Sequence, residues 1–283
     1  MDGDDRGRPG GAPAPGEAGA PVTPEEDLVL LEVDGVIATI TNNRPHKHNA
    51  MSDAMDRRLW EVLAECHGRD DLRAIIWQGA GPSFSSGRDT TELGVRTEDI
   101  SDLEFIERGH RGAQMFLTMP CPIVVALHGW VVGGAFERAL LCDLRIAGEN
   151  ARMMLPEVGH GVIPDSGGVA RLFQMAGHGL AADLALTGRS MDAHEARMHG
   201  IVSRVVPDAD LAGTVRAVAE KIAAAPAFTV KMARRTLSHL GAAEVQRSIA
   251  EEALAQSMVF ASSDYAAMKA ARREGREPTY RRR

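Results

Sequence analysis

The sequence predicts an α/β fold over residues 25–207, followed by a mainly helical region over residues 208–283. Short apolar segments with strand character alternate with helical segments through the first two-thirds of the chain, which is typical of α/β proteins. Strand patterns stop after about residue 207. The 283 residues are 44% hydrophobic and 25% charged, ordinary values that exclude a wholly disordered or fibrous chain.

Residues 1–24 are expected to form a disordered N-terminal extension. Fifteen of these 24 residues are Gly, Pro or Ala, and Met1 and Val22 are the only large apolar residues among them. Such a segment buries too little apolar surface to offset the entropy that is lost when a chain becomes ordered. The folded part is therefore expected to begin near residue 25.

The first predicted elements are a hairpin and a helix. Strand segments 28–33 and 36–41 flank Asp34-Gly35, a dipeptide suited to the positive φ angles of a type I′ turn. Ser52 is placed to cap the next helix. That helix has one apolar face, formed by Met55, Leu59, Leu63 and Cys66.

The central part of the chain continues the alternation. Segment 74–78 predicts an apolar strand that leads into a glycine-rich loop, 79–87. Residues 103–117 predict a helix that ends before Pro120. Strands are then predicted over 123–127 and 144–147, and helices over 135–141 and 167–174. Asp165 is expected to be the N-cap of the last helix.

The C-terminal region shows only helical patterns. Residues 209–225 carry apolar side chains at spacings of three and four, at Leu211, Val215, Val218 and Ile222. Two further helices are predicted over 228–239 and 243–261. This region is expected to pack on the α/β core or to form contacts between subunits.

Charge and cysteine content exclude several classes of function. With 32 Lys and Arg against 39 Asp and Glu, the net charge of −7 argues against a broad basic surface for nucleic acid. Cys66, Cys121 and Cys142 lack CxxC spacing, which argues against a disulfide framework or a cysteine zinc site. No signal peptide and no membrane-length apolar segment is seen, so we expect a soluble, cytoplasmic protein without membrane partners.

Familiar catalytic and metal-binding motifs are missing or incomplete. The histidines of His194-Glu195-Ala196-Arg197-Met198-His199 are five residues apart rather than four, so they would not share one helix face. His46 and His48 lack nearby acidic or cysteine companions for a metal ion. No metal site is therefore predicted.

Two glycine loops are candidates for binding an anionic oxygen. Each follows a strand, and glycine leaves backbone N–H groups uncovered. The second loop, 128–134, also opens a helix, so that the N–H of Gly134 lies at the positive end of the helix dipole. Converging N–H groups of this kind form an oxyanion hole, although tight packing of strand against helix explains either loop alone.

Three carboxylates follow these loops. Glu137 lies in the first turn of a helix among apolar residues, which predicts a raised pKa suited to proton transfer. Glu157 follows the strand-like segment 153–155, and a surface or capping role is the alternative. Asp165 is interpreted as a helix cap.

These motifs, taken in order, resemble the crotonase or enoyl-CoA hydratase/isomerase superfamily, from about Leu28 to Tyr280. The resemblance is carried by Asn43-Arg44-Pro45, Asn49-Ala50-Met51-Ser52, Phe84-Ser85-Ser86-Gly87-Arg88-Asp89, His128-Gly129-Trp130-Val131-Val132-Gly133-Gly134-Ala135-Phe136-Glu137, Cys142-Asp143-Leu144-Arg145-Ile146-Ala147, Leu155-Pro156-Glu157-Val158-Gly159, Ile163-Pro164-Asp165-Ser166-Gly167-Gly168, Leu186-Thr187-Gly188 and Gly200-Ile201-Val202.

The resemblance implies a crotonase-like spiral of ββα units, followed by helices that build a trimer or a hexamer. It also implies an acyl-CoA thioester as substrate, with no metal or redox cofactor, since CoA belongs to the substrate. By position, the oxyanion-hole donors are the backbone N–H groups of Ser86 and Gly134. Glu137 would help to activate a water molecule that adds at C3, and Glu157 would handle the proton at C2.

The resemblance also implies contacts with CoA at seven positions of this chain: His46, His48, Ala50, Gly87, Arg88, Asp89 and Gly133. Arg88 would offer positive charge to a phosphate. The C-terminal arginines could reach the CoA of a neighbouring subunit or form a solvated basic tail: Arg272, Arg273 and Arg276.

The predicted activity is hydration of a 2-enoyl-CoA, because both glutamate positions are kept. The alternative is an enoyl-CoA or dienoyl-CoA isomerase that uses Glu157 or Asp165, since Asp165 stands where the standard hydratases have a small residue. Arg138, directly after Glu137, is also unusual, and we expect it to point away from Glu137 on the helix. An acyl-CoA hydrolase and a non-catalytic CoA- or RNA-binding homologue are further alternatives.

Overall fold

The computed structural model describes residues 24–93, 95 and 99–280. The predicted N-terminal extension, 1–24, lies outside these residues apart from Pro24. Nine strands and eight α-helices are described, and they form two sheets surrounded by helices. The predicted α/β character is confirmed. Within the described ranges, no helix combines the length and apolar character needed to cross a bilayer.

The larger sheet has six strands in the order β1-β2-β3-β4-β6-β9. β1 and β2 are antiparallel, and every other neighbouring pair is parallel. The strands are β1 Val29–Asp34, β2 Ile37–Asn42, β3 Ala74–Gly79, β4 Ile123–Leu127, β6 Leu144–Gly148 and β9 Arg204–Val206.

The hairpin between β1 and β2 forms as predicted, but its turn lies one residue later than expected. Asp34 pairs with Ile37, so the two loop residues are Gly35 and Val36. Gly35 has a φ of 61°, whereas Val36 is not among the residues with positive φ. Positive φ at the first central residue alone is the pattern of a type II′ turn rather than type I′.

The smaller sheet contains β5 Trp130–Val132, β7 Arg152–Met154 and β8 Met191–Asp192. β5 runs parallel to β7, which is antiparallel to β8. β5 lies inside the second glycine loop, where no strand was predicted. It is also paired through Val131 to Ser85 of the first glycine loop. The two loops are therefore adjacent in the fold.

Both faces of the central strands are buried, as continuous apolar segments of parallel sheets require. On one face, side chains such as Ile75, Trp77 and Val125 join the main core. On the other face, Ile76 and Val124 pack against α6. The helices are α1 Asp53–His67, α2 Asp102–Thr118, α3 Gly134–Leu141, α4 Gly168–Thr187, α5 Ala193–Met198, α6 Leu211–Ala223, α7 Ala227–Phe260 and α8 Ser263–Arg273.

The helix ends follow local sequence in some places and tertiary contacts in others. Ser52 caps α1 as predicted, and its Oγ accepts the N–H of Met55 at 3.2 Å. The two helices predicted over 228–239 and 243–261 are one continuous helix, α7. Gly241 lies in its middle because a Cβ there would stand 2.5 Å from the Gln174 side chain of α4. α7 and α4 therefore pack closely at this glycine.

Candidate active site

Glu137 and Glu157 line the same cavity, which has a volume of about 190 Å³. Glu137 lies in the first turn of α3, directly after β5, and Glu157 begins the 3₁₀ helix Glu157–His160 just beyond β7. Because β5 and β7 are parallel neighbours, the segments that follow them leave the same edge of the small sheet. The pairing of these strands therefore brings the two predicted glutamates together.

The carboxylate of Glu137 is held by the start of α4. Its Oε1 accepts the N–H groups of Ser166 at 3.1 Å and Gly168 at 3.2 Å. Burial and the neighbouring Glu157 raise the pKa of Glu137 well above its ordinary value. The two N–H donors and the positive end of the α4 dipole act in the opposite direction and favour the ionised form.

Glu157 has a different environment. Its Oε2 is buried and has no hydrogen-bond partner among the residues that the structure describes. Burial, followed by the Asp165 carboxyl, raises the pKa of Glu157 to about 8. Gly133 allows this carboxyl to approach the loop, because a Cβ at that position would lie 2.5 Å from Oε1 of Glu157.

Asp165 also lines the cavity, and the prediction that it caps α4 is wrong. The N-cap of α4 is Gly167, in the left-handed region at φ 80°, and the side-chain acceptors at this helix start are Glu137 and Glu252 rather than Asp165. The backbone carbonyl of Asp165 is bound to His110 Nε2. Burial, followed by the nearby Glu252 carboxyl, raises the pKa of Asp165 to about 7. A third carboxyl thus lines the cavity beside the two glutamates.

The first glycine loop requires a correction at Ser86. The N–H of Ser86 donates to the carbonyl of His48 at 2.8 Å, so it is not available to a ligand. Two residues later, the N–H of Arg88 has no hydrogen-bond partner in the described part of the chain, because the bridge between Arg88 and Met51 uses the carbonyl of Gly87 and the N–H of Asp89 instead. Arg88 lines the cavity and Ser86 does not.

Gly134 lies where an N–H group could face a ligand. It is the first residue of α3, where a helix leaves its N–H groups without an intrahelical acceptor, and it lines the cavity. The pairing of Ser85 with Val131 places the loop that carries Arg88 alongside the strand that leads to Gly134. The fold therefore brings Arg88 and Gly134 to one cavity.

The residues predicted to touch CoA come from two adjoining segments. The N–H of Met51 donates to Gly87, and the N–H of Asp89 donates back to Met51. This joins the segment that holds His46, His48 and Ala50 to the first glycine loop. Asp89 is buried and bound to Arg44 at 2.6 Å, and hydrogen bonds from Thr91 and Arg44 outweigh burial and lower its pKa to about 2. Its role in the structure is to tie the two segments together.

The arginines predicted to meet CoA phosphates have partners within the chain. The guanidinium of Arg88 forms an ion pair with Asp53 at 2.5 Å, inside the cavity wall. Arg272 donates to the carbonyl of Thr90, and Arg276 pairs with Glu274 at 2.5 Å. Arg273 lies with Lys269 and Arg272 around a separate surface cavity.

Sequence reasoning missed several residues of the cavity. Asp53, Asp56 and Trp60 of α1 reach it across the core, as do Gln256 and Phe260 of α7. Arg138 also lines it, although we expected that side chain to point away from Glu137. The unusual Arg next to Glu137 was the one sequence signal for this part of the site.

The three cysteines are free and buried, as expected for packing residues. Burial raises the pKa of Cys66 to about 11 and that of Cys121 to about 12, so neither is a reactive thiolate near neutral pH. In the described part of the chain, no group of three or more His, Cys, Asp or Glu side chains has the arrangement of a metal site.

Comparison with known proteins agrees with this geometry. Residues 32–283 match the family model for enoyl-CoA hydratase/isomerase. A short-chain-enoyl-CoA hydratase of Clostridium acetobutylicum is 32% identical over 244 residues, which are 85% of this chain and 92% of that protein. Carnitinyl-CoA dehydratase of Escherichia coli is 33% identical over 222 residues, which are 77% of this chain and 84% of that protein.

Solved structures give the same result. An enoyl-CoA hydratase from Mycobacterium avium superposes with a TM-score of 0.73 at 32% identity, covering 84% of this chain and 99% of that one. An enoyl-CoA hydratase/isomerase from Pseudoalteromonas atlantica superposes with a TM-score of 0.80 at 26% identity, covering 90% of this chain and 100% of that one. The fold, the match of the family model and these relatives together show that the chain belongs to the enoyl-CoA hydratase/isomerase family and has the crotonase fold.

Proposed function

We propose that this protein is an enoyl-CoA hydratase, which adds water across the 2,3 double bond of a 2-enoyl-CoA thioester. The observation that carries the proposal is one cavity lined by two glutamates in different hydrogen-bonding environments and by Arg88 and Gly134, whose backbone N–H groups have no hydrogen-bond partner among the described residues. Relatives described as enoyl-CoA hydratases, at about one-third identity, support the same choice.

The N–H groups of Arg88 and Gly134 would bind the thioester oxygen. Water addition at C3 pushes electrons toward this oxygen and creates enolate charge, which N–H donors fixed in place stabilise more strongly than they stabilise the neutral thioester. Arg88 replaces Ser86 in this role, because the Ser86 N–H is bound to His48. Gly134 keeps the role that the sequence predicted.

The two glutamates would divide the proton chemistry. Two N–H donors on Oε1 of Glu137 favour its carboxylate and leave Oε2 to accept a hydrogen bond from water. The unpartnered Oε2 and raised pKa of Glu157 favour its protonated form. Glu137 then draws a proton from the water whose oxygen bonds to C3, and Glu157 delivers a proton to C2.

The proposed contacts with CoA and between subunits follow from the family and from exposed apolar surface. The adjoining segments around His46–Ala50 and Gly87–Asp89 would contact CoA, with Gly133 beside the thioester. The reaction needs no metal or redox cofactor, because proton transfer and enolate stabilisation are sufficient for it. We propose a trimer or hexamer that acts in the cytoplasm.

Product identification tests this function. Purified protein is incubated with 2-enoyl-CoA substrates of increasing chain length, and products are resolved by mass spectrometry. We expect a gain of one water and a hydroxyl group at C3. Unchanged mass with a moved double bond, or release of free CoA, would contradict the proposal and would indicate an isomerase or a hydrolase instead.

Isomerase activity is the second candidate, favoured by Asp165. Its carboxyl lines the same cavity, and its pKa of about 7 suits proton transfer. Glu157 and Asp165 would then move a proton between C2 and C4. Deuterium exchange at C4 in D₂O, lost in Asp165→Asn, supports this candidate, whereas exchange confined to C2 contradicts it.

A further inference from the structure

The cavity wall beside the catalytic glutamates contains a chain of ion pairs, which we call the charged wall: Asp53, Arg88, Asp56 and Arg138. Arg88 binds Asp53 at 2.5 Å and lies 3.7 Å from Asp56. Asp56 in turn accepts two hydrogen bonds from Arg138, at 2.6 and 3.2 Å. All four residues line the cavity that holds Glu137 and Glu157.

Arg138 is held firmly in this wall. Its side chain is only 9% exposed, and its guanidinium lies over the Trp60 ring, 4.7 Å from the ring centre. Its Nε is buried and has no hydrogen-bond partner among the described residues. A guanidinium has five N–H donors, of which two bind Asp56, so the wall retains donor capacity.

This part of the cavity faces the acyl group rather than CoA. The segment with His46, His48 and Ala50, which we assign to CoA, does not line the cavity, whereas Gly134 and both catalytic glutamates do. A substrate whose thioester oxygen binds at Gly134 would therefore extend its acyl chain into the space beside the charged wall. This step rests on the proposed function.

A plain hydrocarbon chain matches such a wall poorly. It would remove water from two guanidinium groups and two carboxylates without replacing any hydrogen bond, which is unfavourable. An oxygen atom on the chain would accept from the unused N–H donors. The cavity is already lined by five acidic side chains, Asp53, Asp56, Glu137, Glu157 and Asp165, against four arginines, Arg57, Arg88, Arg108 and Arg138, so a neutral oxygen suits it better than a further carboxylate.

We infer that the substrate is a CoA thioester whose acyl chain carries a neutral oxygen group, a carbonyl or a hydroxyl, that accepts hydrogen bonds from Arg138 and Arg88. These two side chains determine specificity and take no part in the proton transfers.

Binding of saturated thioesters tests this inference without depending on turnover. Isothermal titration compares octanoyl-CoA, its four isomers with an oxo group at C4 to C7, and the octanedioyl monothioester. We expect at least one oxo isomer to bind about tenfold or more tightly than octanoyl-CoA, as one hydrogen bond to a charged donor allows. Equal or tighter binding of octanoyl-CoA, or tightest binding of the octanedioyl thioester, would overturn the inference.

Variants connect the preference to the charged wall. Arg138→Met should abolish the advantage of the oxo isomer, while Arg216→Met, at a remote surface ion pair, should preserve it. If Arg138→Met does not fold, the double variant Asp56→Asn with Arg138→Gln removes the pair without leaving a buried unpaired charge. A preference that survives in the folded variant overturns the inference, whereas failure of every thioester to bind counts against the proposed function itself.

Discussion

Two hydrogen bonds distinguish Glu137 from Glu157. Both carboxyls line the same cavity, and a negative charge on one makes ionisation of the other less favourable. Glu137 receives two backbone N–H donors from another element, those of Ser166 and Gly168 at the start of α4, whereas Oε2 of Glu157 has no partner among the described residues. Burial raises the pKa of both carboxyls, and the two N–H donors oppose this rise at Glu137, so charge on Glu137 is expected to be stabilised by hydrogen bonds while Glu157 keeps its proton.

The raised pKa of Glu157 predicts that its contribution to stability falls as pH rises. In the folded chain this carboxyl keeps its proton to about pH 8, whereas in the unfolded chain it ionises near pH 4.5. Between these values the folded state binds more protons, so the free energy of unfolding decreases with pH. The glutamine of Glu157→Gln cannot ionise, so the variant lacks this decrease in the free energy of unfolding with pH.

We therefore expect Glu157→Gln to match the wild type at pH 4.5 and to exceed it at pH 8 by on the order of a few kcal/mol. Urea unfolding at both pH values, followed by circular dichroism, measures the difference. Glu251→Gln, on the exposed face of α7, is the matched control. A stability difference that does not grow with pH would contradict the assignment of the proton to Glu157.

The N–H of Gly134 can be removed with little change in the helix. Gly134 is the first residue of α3, a position where proline is well tolerated. We expect Gly134→Pro to fold and to lose about 10²- to 10³-fold in kcat, as loss of one oxyanion-hole donor does.

Gly134→Ala is the control, because it keeps the N–H and its Cβ meets only Ser166 Oγ at an ordinary 3.7 Å. Steady-state kinetics compare the two variants. Similar losses in both would show that space at Gly134, rather than its N–H, matters for the reaction.

At the scale of elements, close approach of α3 and α4 sets the catalytic geometry. A Cβ at Gly168 would lie 2.3 Å from Cβ of Glu137, so only glycine lets the N–H of this residue reach the carboxylate. We predict that Gly168→Ala forces the helices apart, destabilises the fold by about 1–3 kcal/mol and lowers kcat.

Gly179→Ala lies beyond the kink that Gly177 makes in α4, meets no atom within 4 Å and should leave stability and kcat close to wild type. Thermal unfolding and initial rates test both variants. Wild-type kcat in Gly168→Ala would show that the contact between α3 and α4 does not position Glu137.

Elements with a strong local signal were predictable from sequence, and elements made by pairing were not. β4 and α1 were predicted closely, because they combine apolar periodicity with clear boundaries. β5 and β8 have only three and two residues, too few to show a period, and they exist through their pairing with β7. The cap of α4 was wrongly predicted because Asp165 has the chemistry of a cap but not its position.

At the scale of the whole molecule, α7 carries exposed apolar side chains that suggest a subunit contact. Leu237, Leu240, Leu254 and Met258 are between 58% and 79% exposed. At 100° per residue they fall within about a third of the helix circumference. Large exposed apolar residues grouped in this way mark interaction surfaces.

We predict that the wild type forms an oligomer and that Leu240→Glu with Met258→Glu dissociates it. Size-exclusion chromatography with light scattering measures the mass. Val36→Glu, at the turn between β1 and β2, should keep the wild-type mass. A wild type that is monomeric at every concentration would contradict the role proposed for this face.

Only those site residues that belong to recognisable sequence motifs were predictable. Glu137, Glu157 and Gly134 follow recognisable loops, and the structure brings them to one cavity. The charged wall was not predictable, because Asp56 on α1 and Arg138 on α3 are 82 residues apart in sequence and meet only in the folded chain. The donor predicted in the first loop, the N–H of Ser86, is bound to His48, and sequence does not show which N–H group the neighbouring segment takes.

The most direct test of the proposed chemistry is the rate of water addition to 2-butenoyl-CoA by Glu137→Gln, Glu157→Gln and the double variant. Each single change should lower kcat by about 10²- to 10⁴-fold, because a positioned proton donor or acceptor is lost. The double variant should be little slower than the slower single variant, since the two groups act together. Glu251→Gln should hydrate at the wild-type rate. Hydration within tenfold of wild type in either single variant would contradict the assignment of the two glutamates.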